Sequence, residues 1–437
     1  MGLLTIAPDL ALCTRTGKCL SILLLGLALL ILSALACAAE LTLSCGQPGP
    51  YHRRCAEAAQ SWADAKGHRV RVLAAAEDLD RRLQTYQELL GVATDQLDVL
   101  EIDVIWTGLL AEHLADLRPL IADAHTAFMQ TLVASNRVKG RLVALPRYLE
   151  FGLLFYRKDL LEQSAIAVPR TWAELESAAS RLQDAQRHDA NARFWGFLWP
   201  GGPSEALTCT ALEWVASWNG GTIATMDGTI TIDDLRAQYA LKRATNWLKI
   251  VSPESVLTAT EEEPLIRFAS GNAGFLRAWP SAWAKLNAPA SAVRGKVGVA
   301  PLPKGGSGGV HAATLGGWQL AVSRYSAHPE LAADLVLHLT GDEEQRQNAL
   351  QLGLPPSRKA LLVDPEIRAA QPYLDFLDAR DVLIVARPSA SLGEQYPEAS
   401  KLFQAAVSDV LSGRRAADQA LPTLARELVR LRRGGTW

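Results

Sequence analysis

Neither cysteine nor histidine is arranged here as a metal or redox site would require. Eight histidines and six cysteines are scattered over 437 residues, with no H-x-x-x-H and no C-x-x-C pair among them. Zinc chemistry therefore has no ligand set, and no cofactor is expected. A strand-to-helix nucleophile elbow is also missing, and Cys209 has no histidine partner that the sequence would suggest, so nucleophilic hydrolysis lacks its parts. The glycine-rich connection Lys304-Gly-Gly-Ser-Gly-Gly309 lacks the G-x-x-x-x-G-K-[ST] spacing, is followed by a strand pattern, and reads as a flexible turn rather than a phosphate cradle. Charge of one sign is lacking too: 44 Lys and Arg stand against 46 Asp and Glu, a formal net charge of −2. No basic stripe appears before the C-terminus, where Arg426, Arg430, Arg432 and Arg433 read as a solvated helix face. Nucleic acid and anionic membrane surfaces are accordingly not expected partners.

Long apolar runs are confined to the start of the chain. Arg15 and Lys18 precede an apolar stretch from Leu20 to Leu32, and small residues follow at Ala34, Ala36, Ala38 and Ala39. Residues 1–39 thus read as an export signal, cleaved after Ala38 or Ala39, with lipid attachment at Cys37 or an uncleaved anchor as alternatives. The mature chain is then periplasmic or extracellular. It keeps Cys45, Cys55 and Cys209. Cys45 ends the first strand pattern and Cys55 lies early in the next helix, so a disulfide closing that short loop is expected, against the alternative of two unpaired thiols. Cys209 reads as a small buried hydrophobe.

What remains, about 400 residues, is enough for two domains with developed cores. Strand and helix patterns alternate: strands at Leu41–Cys45, Arg69–Leu73, Leu97–Trp106, Leu142–Leu145 and Gly152–Tyr156, with helices between them, define an α/β protein. Pro146 is expected to stop its strand. The middle third carries long helices joined by loops rich in tryptophan, glycine and proline. Short strands at Ala273–Leu276, Lys296–Ala300 and Gly317–Val322 follow, and from about Pro329 the pattern is helical.

Polar and aromatic residues gather at the ends of these elements. In Ala313-Thr-Leu-Gly-Gly-Trp318, two glycines let the backbone approach a ligand beside a flat apolar ring. Asp103 and Glu150 can each accept hydrogen bonds from neighbouring hydroxyls, and Arg387 can donate in a planar fork. Tyr148, Trp279 and Trp318 offer faces for the C–H side of a pyranose. Taken singly, each has a plainer reading: Asp103 caps the next helix, Glu150 sits in a surface ion pair, Trp279 is core. Together they have the chemistry of a sugar-binding cleft.

The segments Asp98-Val-Leu-Glu-Ile-Asp-Val-Ile-Trp106, Ala144-Leu-Pro-Arg-Tyr-Leu-Glu-Phe-Gly152, Arg277-Ala-Trp-Pro-Ser-Ala-Trp283, Gly295-Lys-Val-Gly-Val-Ala-Pro-Leu-Pro303 and Ala313-Thr-Leu-Gly-Gly-Trp318 resemble those of extracellular solute-binding proteins of sugar ABC transporters, most of all the trehalose/maltose-binding branch. The resemblance runs in order along the whole mature chain. It implies a two-lobed type II, maltose-binding-like α/β fold, with hinge crossovers near Arg147–Gly152, near Ala300–Pro303 and after about Gly353. On that basis residues 40–148 and 300–353 form lobe one, and 149–299 and 354–437 form lobe two. The resemblance also implies that Asp103, Tyr148, Glu150, Trp279, Gly317, Trp318 and Arg387 bind the substrate. Its partners would be a small saccharide, expected to be a glucose-containing disaccharide, and the membrane permease subunits with their cytoplasmic ATPase, the carrier itself being a monomer. Three departures bear on the sugar's identity. Glu150 stands where the pattern has aspartate, the loop Gly46–His52 lacks a glutamate, and Ser204 replaces an aromatic before Glu205. The competing class is an exported carbohydrate-active enzyme using Glu150 and Asp103 as its carboxylate pair.

Overall fold

A computed structural model describes residues 38–433 apart from 189–190, 226 and 379–381. The expected export signal and Cys37 lie outside the described residues.

Among the described residues ten strands build the two larger sheets, beside a short hairpin Arg137–Val138/Arg141–Leu142: β1 (Glu40–Ser44), β2 (Arg69–Leu73), β3 (Val99–Asp103), β4 (Leu145–Phe151), β5 (Leu153–Arg157), β6 (Trp195–Leu198), β7 (Ala273–Ala278), β8 (Val297–Pro301), β9 (His311–Val322) and β10 (Val382–Val385). The first sheet runs β10-β9-β3-β1-β2, with β4 also paired to β9; the second runs β8-β5-β7-β6. Position in the sheet explains composition. In β1, parallel to neighbours on both sides, four of five residues are buried, as expected for an inner strand covered on both faces. Edge strand β2 alternates exposed Arg69, Arg71 and Leu73 with half-covered valines, and those charges discourage further pairing.

Helix Pro50–Lys66 covers one face of the first sheet. Pro at its first turn and Gly67 in the left-handed conformation (φ 72°) bracket it, a pairing of start and stop residues that needs no further signal. Cys55, Ala58, Ala59, Trp62 and Ala63 are its buried stripe, at the spacing of one helix face. They pack with Leu41, Leu43 and Val336, while Tyr86, Leu100, Ile102 and Trp106 fill the opposite face. The core beneath the second sheet is aromatic. Trp172, Trp214 and Trp247 meet with ring centroids 5.3 Å apart in each Trp247 pair, and helices Tyr396–Leu411 and Ala417–Arg433 pack against this lobe's helices.

Three local expectations are corrected. Pro146 does not end a strand, since β4 runs through it. Its partner is Gln319, at the one point where the β4–β9 register shifts, and a bulge tolerates a residue without an N–H. Trp195–Leu198, expected as loop, is a strand parallel to β7. Val382–Val385, within a region expected to be helical, pairs parallel with His311–Thr314 of β9.

The expected disulfide Cys45–Cys55 is formed, with a Cα–Cα separation of 6.6 Å, and Cys209 is a buried free thiol that burial pushes up to about 12. The Gly-rich connection is not loose. Gly305 N–H and Val310 N–H both donate to Ser217 O, and a Cβ on Gly305 would lie 2.5 Å from the Trp218 ring.

Candidate functional site

Strand register, rather than sequence proximity, assembles the candidate residues. Trp318 in β9 lies opposite Asp103 on one side and Tyr148 on the other, and directly opposed residues project to the same face. One pleat further along, Gly316 faces Glu150. Having no side chain, Gly316 leaves space that Trp279 fills: a Cβ there would sit 3.1 Å from the indole Cζ3. Trp279 itself comes from the second sheet, just past β7, where Ala278 pairs with Leu153. Gly152 alone separates β4 in the first sheet from β5 in the second. Six of the seven expected residues thus converge where the chain crosses between sheets.

Gly317 is forced by this geometry. Its φ is +113°, and a Cβ would lie 2.4 Å from Tyr148 O, so only glycine fits. Its carbonyl accepts from Val104 N–H at 3.2 Å.

The carboxyls are unlike each other. Asp103, half-buried, accepts from Ile105 N–H at 3.0 Å but does not cap the next helix, Trp106–Leu110, whose N-cap is Ile105 with no side-chain cap hydrogen bond; burial raises its pKa against the opposing pull of Arg387. Glu150 is 8% exposed, not a surface ion pair. Burial pushes its carboxyl up to about 8, and Ser281 N–H at 3.4 Å is its backbone contact. At neutral pH Glu150 is therefore protonated and can donate as well as accept. Tyr148 is held edge-on by Tyr51 at 5.7 Å between centroids, and burial takes its hydroxyl well above its ordinary range.

Arg387, buried, follows β10. Its Nη1 donates to Glu205 Oε1 at 2.9 Å and its Nη2 to Leu315 O at 3.1 Å. It therefore bridges β9 to helix Glu205–Ser217. Glu205 also accepts from Tyr396 Oη and from Ser400 Oγ at 2.7 Å. A cavity of about 1330 Å³ opens beside Arg387, lined among others by Gly108, Ser135, Asn219, Thr222 and Gln395. Among the described residues its lining includes none of the other six candidates and no aromatic ring.

Sequence reasoning overlooked the groups that hold this site. Glu101 lies buried in β3 and accepts from Gly46 N–H at 2.6 Å and from Tyr51 Oη; Arg147 Nη1 is 3.4 Å away and 2.6 and 3.2 Å from the two disulfide sulfurs. Glu261 accepts from the Trp279 indole N–H at 2.6 Å. A charge inside the apolar run Val99–Asp103 was the available signal, because a buried carboxylate needs a partner.

Two larger sheets with polar and aromatic groups where the chain passes between them are the architecture of a two-lobed binding protein, and comparison with known proteins agrees. Residues 85–346 match the family model of the bacterial extracellular solute-binding proteins. A "Probable ABC transporter-binding protein" of Deinococcus radiodurans is 39% identical over 400 residues, covering 91% of this chain and 95% of that one. Among solved structures, maltose-bound MalE3 of T. maritima superposes with a TM-score of 0.79 at 33% identity, covering 90% of this chain and all of that one. A Thermotoga lettingae solute-binding protein bound to α-D-tagatose shares the fold (TM-score 0.76, 22% identity, 90% and 100% coverage). The chain belongs to the bacterial extracellular solute-binding proteins, the substrate-binding components of ABC transporters. It is a carrier, and the enzyme reading of Glu150 and Asp103 is set aside on the family's evidence.

Proposed function

We propose that this protein captures a glucose-containing disaccharide, such as trehalose or maltose, between its two lobes and delivers it to the membrane permease and its ATPase. The observation that carries the reading is the row Asp103, Trp318, Tyr148 across three paired strands, with Glu150 one pleat on and Trp279 reaching over Gly316 from the other sheet. Hydroxyl-binding groups and ring faces from both sheets meet there, which is what a pyranose requires. Similarity to a maltose-bound protein at 33% identity supports the same class. The lobes are taken as residues 40–148 with 300–353 and 149–299 with 354–437, hinged at Arg147–Gly152, and the carrier as a monomer exported by residues 1–39, with Cys37 as an optional lipid anchor. A thermal-shift and calorimetric panel of maltose, trehalose, sucrose and monosaccharides tests this. A ligand present at 100 times its dissociation constant should add about 2.7 kcal/mol of stability, and the reading fails if no saccharide gives saturable binding.

A further inference from the structure

Each of the two candidate indoles has a buried arginine on it. The Arg82 guanidinium carbon lies 4.6 Å from the Trp318 ring centroid, and that of Arg277 lies 4.1 Å from Trp279. Both arginines are almost inaccessible, at 3% and 2% exposure, whereas both indoles are only half-buried. Arg277 and Trp279 are two residues apart along an extended segment, so their side chains share a face. The cations are fixed from behind. Arg82 Nε and Nη2 donate to Ala76 O at 3.0 and 2.8 Å; Arg277 Nε and Nη2 donate to the two oxygens of Glu213 at 2.8 and 2.6 Å. Among the described residues Nη1 of Arg277 is buried without a hydrogen-bond partner, in the group that faces the ring. The Trp279 indole N–H is fixed by Glu261, and Trp106 meets Trp318 at an interplanar angle of 85° with centroids 5.8 Å apart.

We propose that Arg277 and Arg82 are positioning residues that each occupy one face of an indole, so that Trp279 and Trp318 offer only their opposite faces to ligand. This rests on the saccharide reading above and specifies how its platforms are held. A cation over an indole is attracted most strongly when it is desolvated, and these two are. If packing alone were required, an apolar side chain would serve without the cost of burying a charge. Glu213 extends the second support into the hinge. Its Oε1 also accepts from Thr314 N–H at 3.1 Å and Thr314 Oγ1 at 2.6 Å, and it sits where a Cβ on Gly152 would be 2.0 Å away. The carboxylate that clamps Arg277 therefore contacts Thr314 of β9 in the first sheet and lies against Gly152 between β4 and β5, which ties the seat of Trp279 to the crossover.

The test is a mutant cycle with a ligand-free readout beside it. Arg277→Met should weaken binding of the best saccharide of the panel by about tenfold, as loss of an anchored aromatic does, but by less than about threefold when Trp279→Ala is already present, since the two act through one ring. An equal loss in both backgrounds overturns the proposal, because a purely structural role would act in either. Arg82→Met and Trp318→Ala form the second cycle, with the same expectation. Independently of any sugar, the 19F line of Trp279 in 5-fluorotryptophan-labelled protein, assigned by its loss in Trp279→Phe, should shift and broaden in Arg277→Met while the Trp62 line stays. An unmoved Trp279 line overturns the proposal even if sugar binds. A moved line in a protein that binds no saccharide overturns the saccharide reading alone. If Arg277→Met does not fold, Arg277→Lys, which keeps the charge but not the fork, carries the same measurements.

Discussion

The two lobes hold their halves of the site by different chemistry. On the first sheet, Arg82 behind Trp318 rests on a neutral carbonyl six residues away in sequence, and the neighbouring Tyr51–Tyr148 wall is anchored by a disulfide across a separation of 10 residues. On the second, Arg277 behind Trp279 rests on a carboxylate 64 residues away, which reaches Thr314 on β9 of the first sheet in turn. The first arrangement is partly covalent and, apart from the buried Glu101–Arg147 pair, local. The second is long-range and ionic, and so depends on both lobes being folded and on the crossover between them.

Breaking the ionic support should have the largest effect. Glu213→Leu leaves Arg277 buried without its partner and Thr314 N–H without its acceptor, and such removals cost about 3–5 kcal/mol. Denaturant unfolding would measure it. A loss below about 1 kcal/mol would mean that Arg277 finds water, and the contrast between the lobes would dissolve. Breaking the covalent support comes next. Cys45→Ala with Cys55→Ala should cost about 3 kcal/mol for a closed loop of this size. Hydrogen exchange should place the loosening around residues 45–55 and 148, and leave Trp172 and Trp247 protected. Uniform loss of protection would contradict the local character claimed for this wall. Smaller again is truncation of a platform itself. Trp279→Ala and Trp318→Ala should each retain the fold and lose at least tenfold in saccharide affinity, about 1.4 kcal/mol. Normal binding by either variant would return that residue to the core.

Much of this was legible in the sequence where the signal was local. The inner strand β1, the capped helix Pro50–Lys66 and the Cys45–Cys55 link follow from period, punctuation and position. The elements that were missed lack such signals. In β10, Val382–Val385, none of the four residues is fully buried, and short apolar strands in a helical neighbourhood have no period of their own. Trp195–Leu198 was hidden by the Pro and Gly that follow it. The candidate residues were legible as a set by residue type, although Tyr148 and Trp318 lie inside β4 and β9 rather than at the element ends expected, and their supports were not legible. Arg387 and Glu205 are 182 residues apart, and Arg277 and Glu213 are 64 apart. Tertiary pairing of that kind leaves no mark on either neighbourhood. The protonation of Glu150 was likewise invisible, since it depends on burial that only the fold creates.

That protonation gives the finest comparison between the walls. Read from sequence, Glu150 is a charged acceptor; in the fold its carboxyl titrates near 8 instead of 4.5. Because the folded state binds this proton more tightly than the unfolded chain does, the group's contribution is fully present below about pH 4.5 and declines as pH rises, levelling off above about 8. Relative to Glu150→Gln, which cannot titrate, wild-type stability should therefore fall across that window and run parallel to the variant outside it. Binding should follow the same logic with a different readout. At pH 6 to 7 the neutral acid and the amide both carry a donor and an acceptor, so Glu150→Gln should change saccharide affinity by less than about 1 kcal/mol, within the range of a single neutral hydrogen bond. Above about pH 8 the wild-type group ionises, becomes an acceptor only, and the two proteins should diverge by up to about 1.5–3 kcal/mol, the range of a hydrogen bond to a charged group. Calorimetric titrations of both proteins at pH 6 and pH 9 separate the cases. An equal gap at both values would mean that Glu150 is already charged in the site at pH 6, and the burial argument for its neutrality would be wrong.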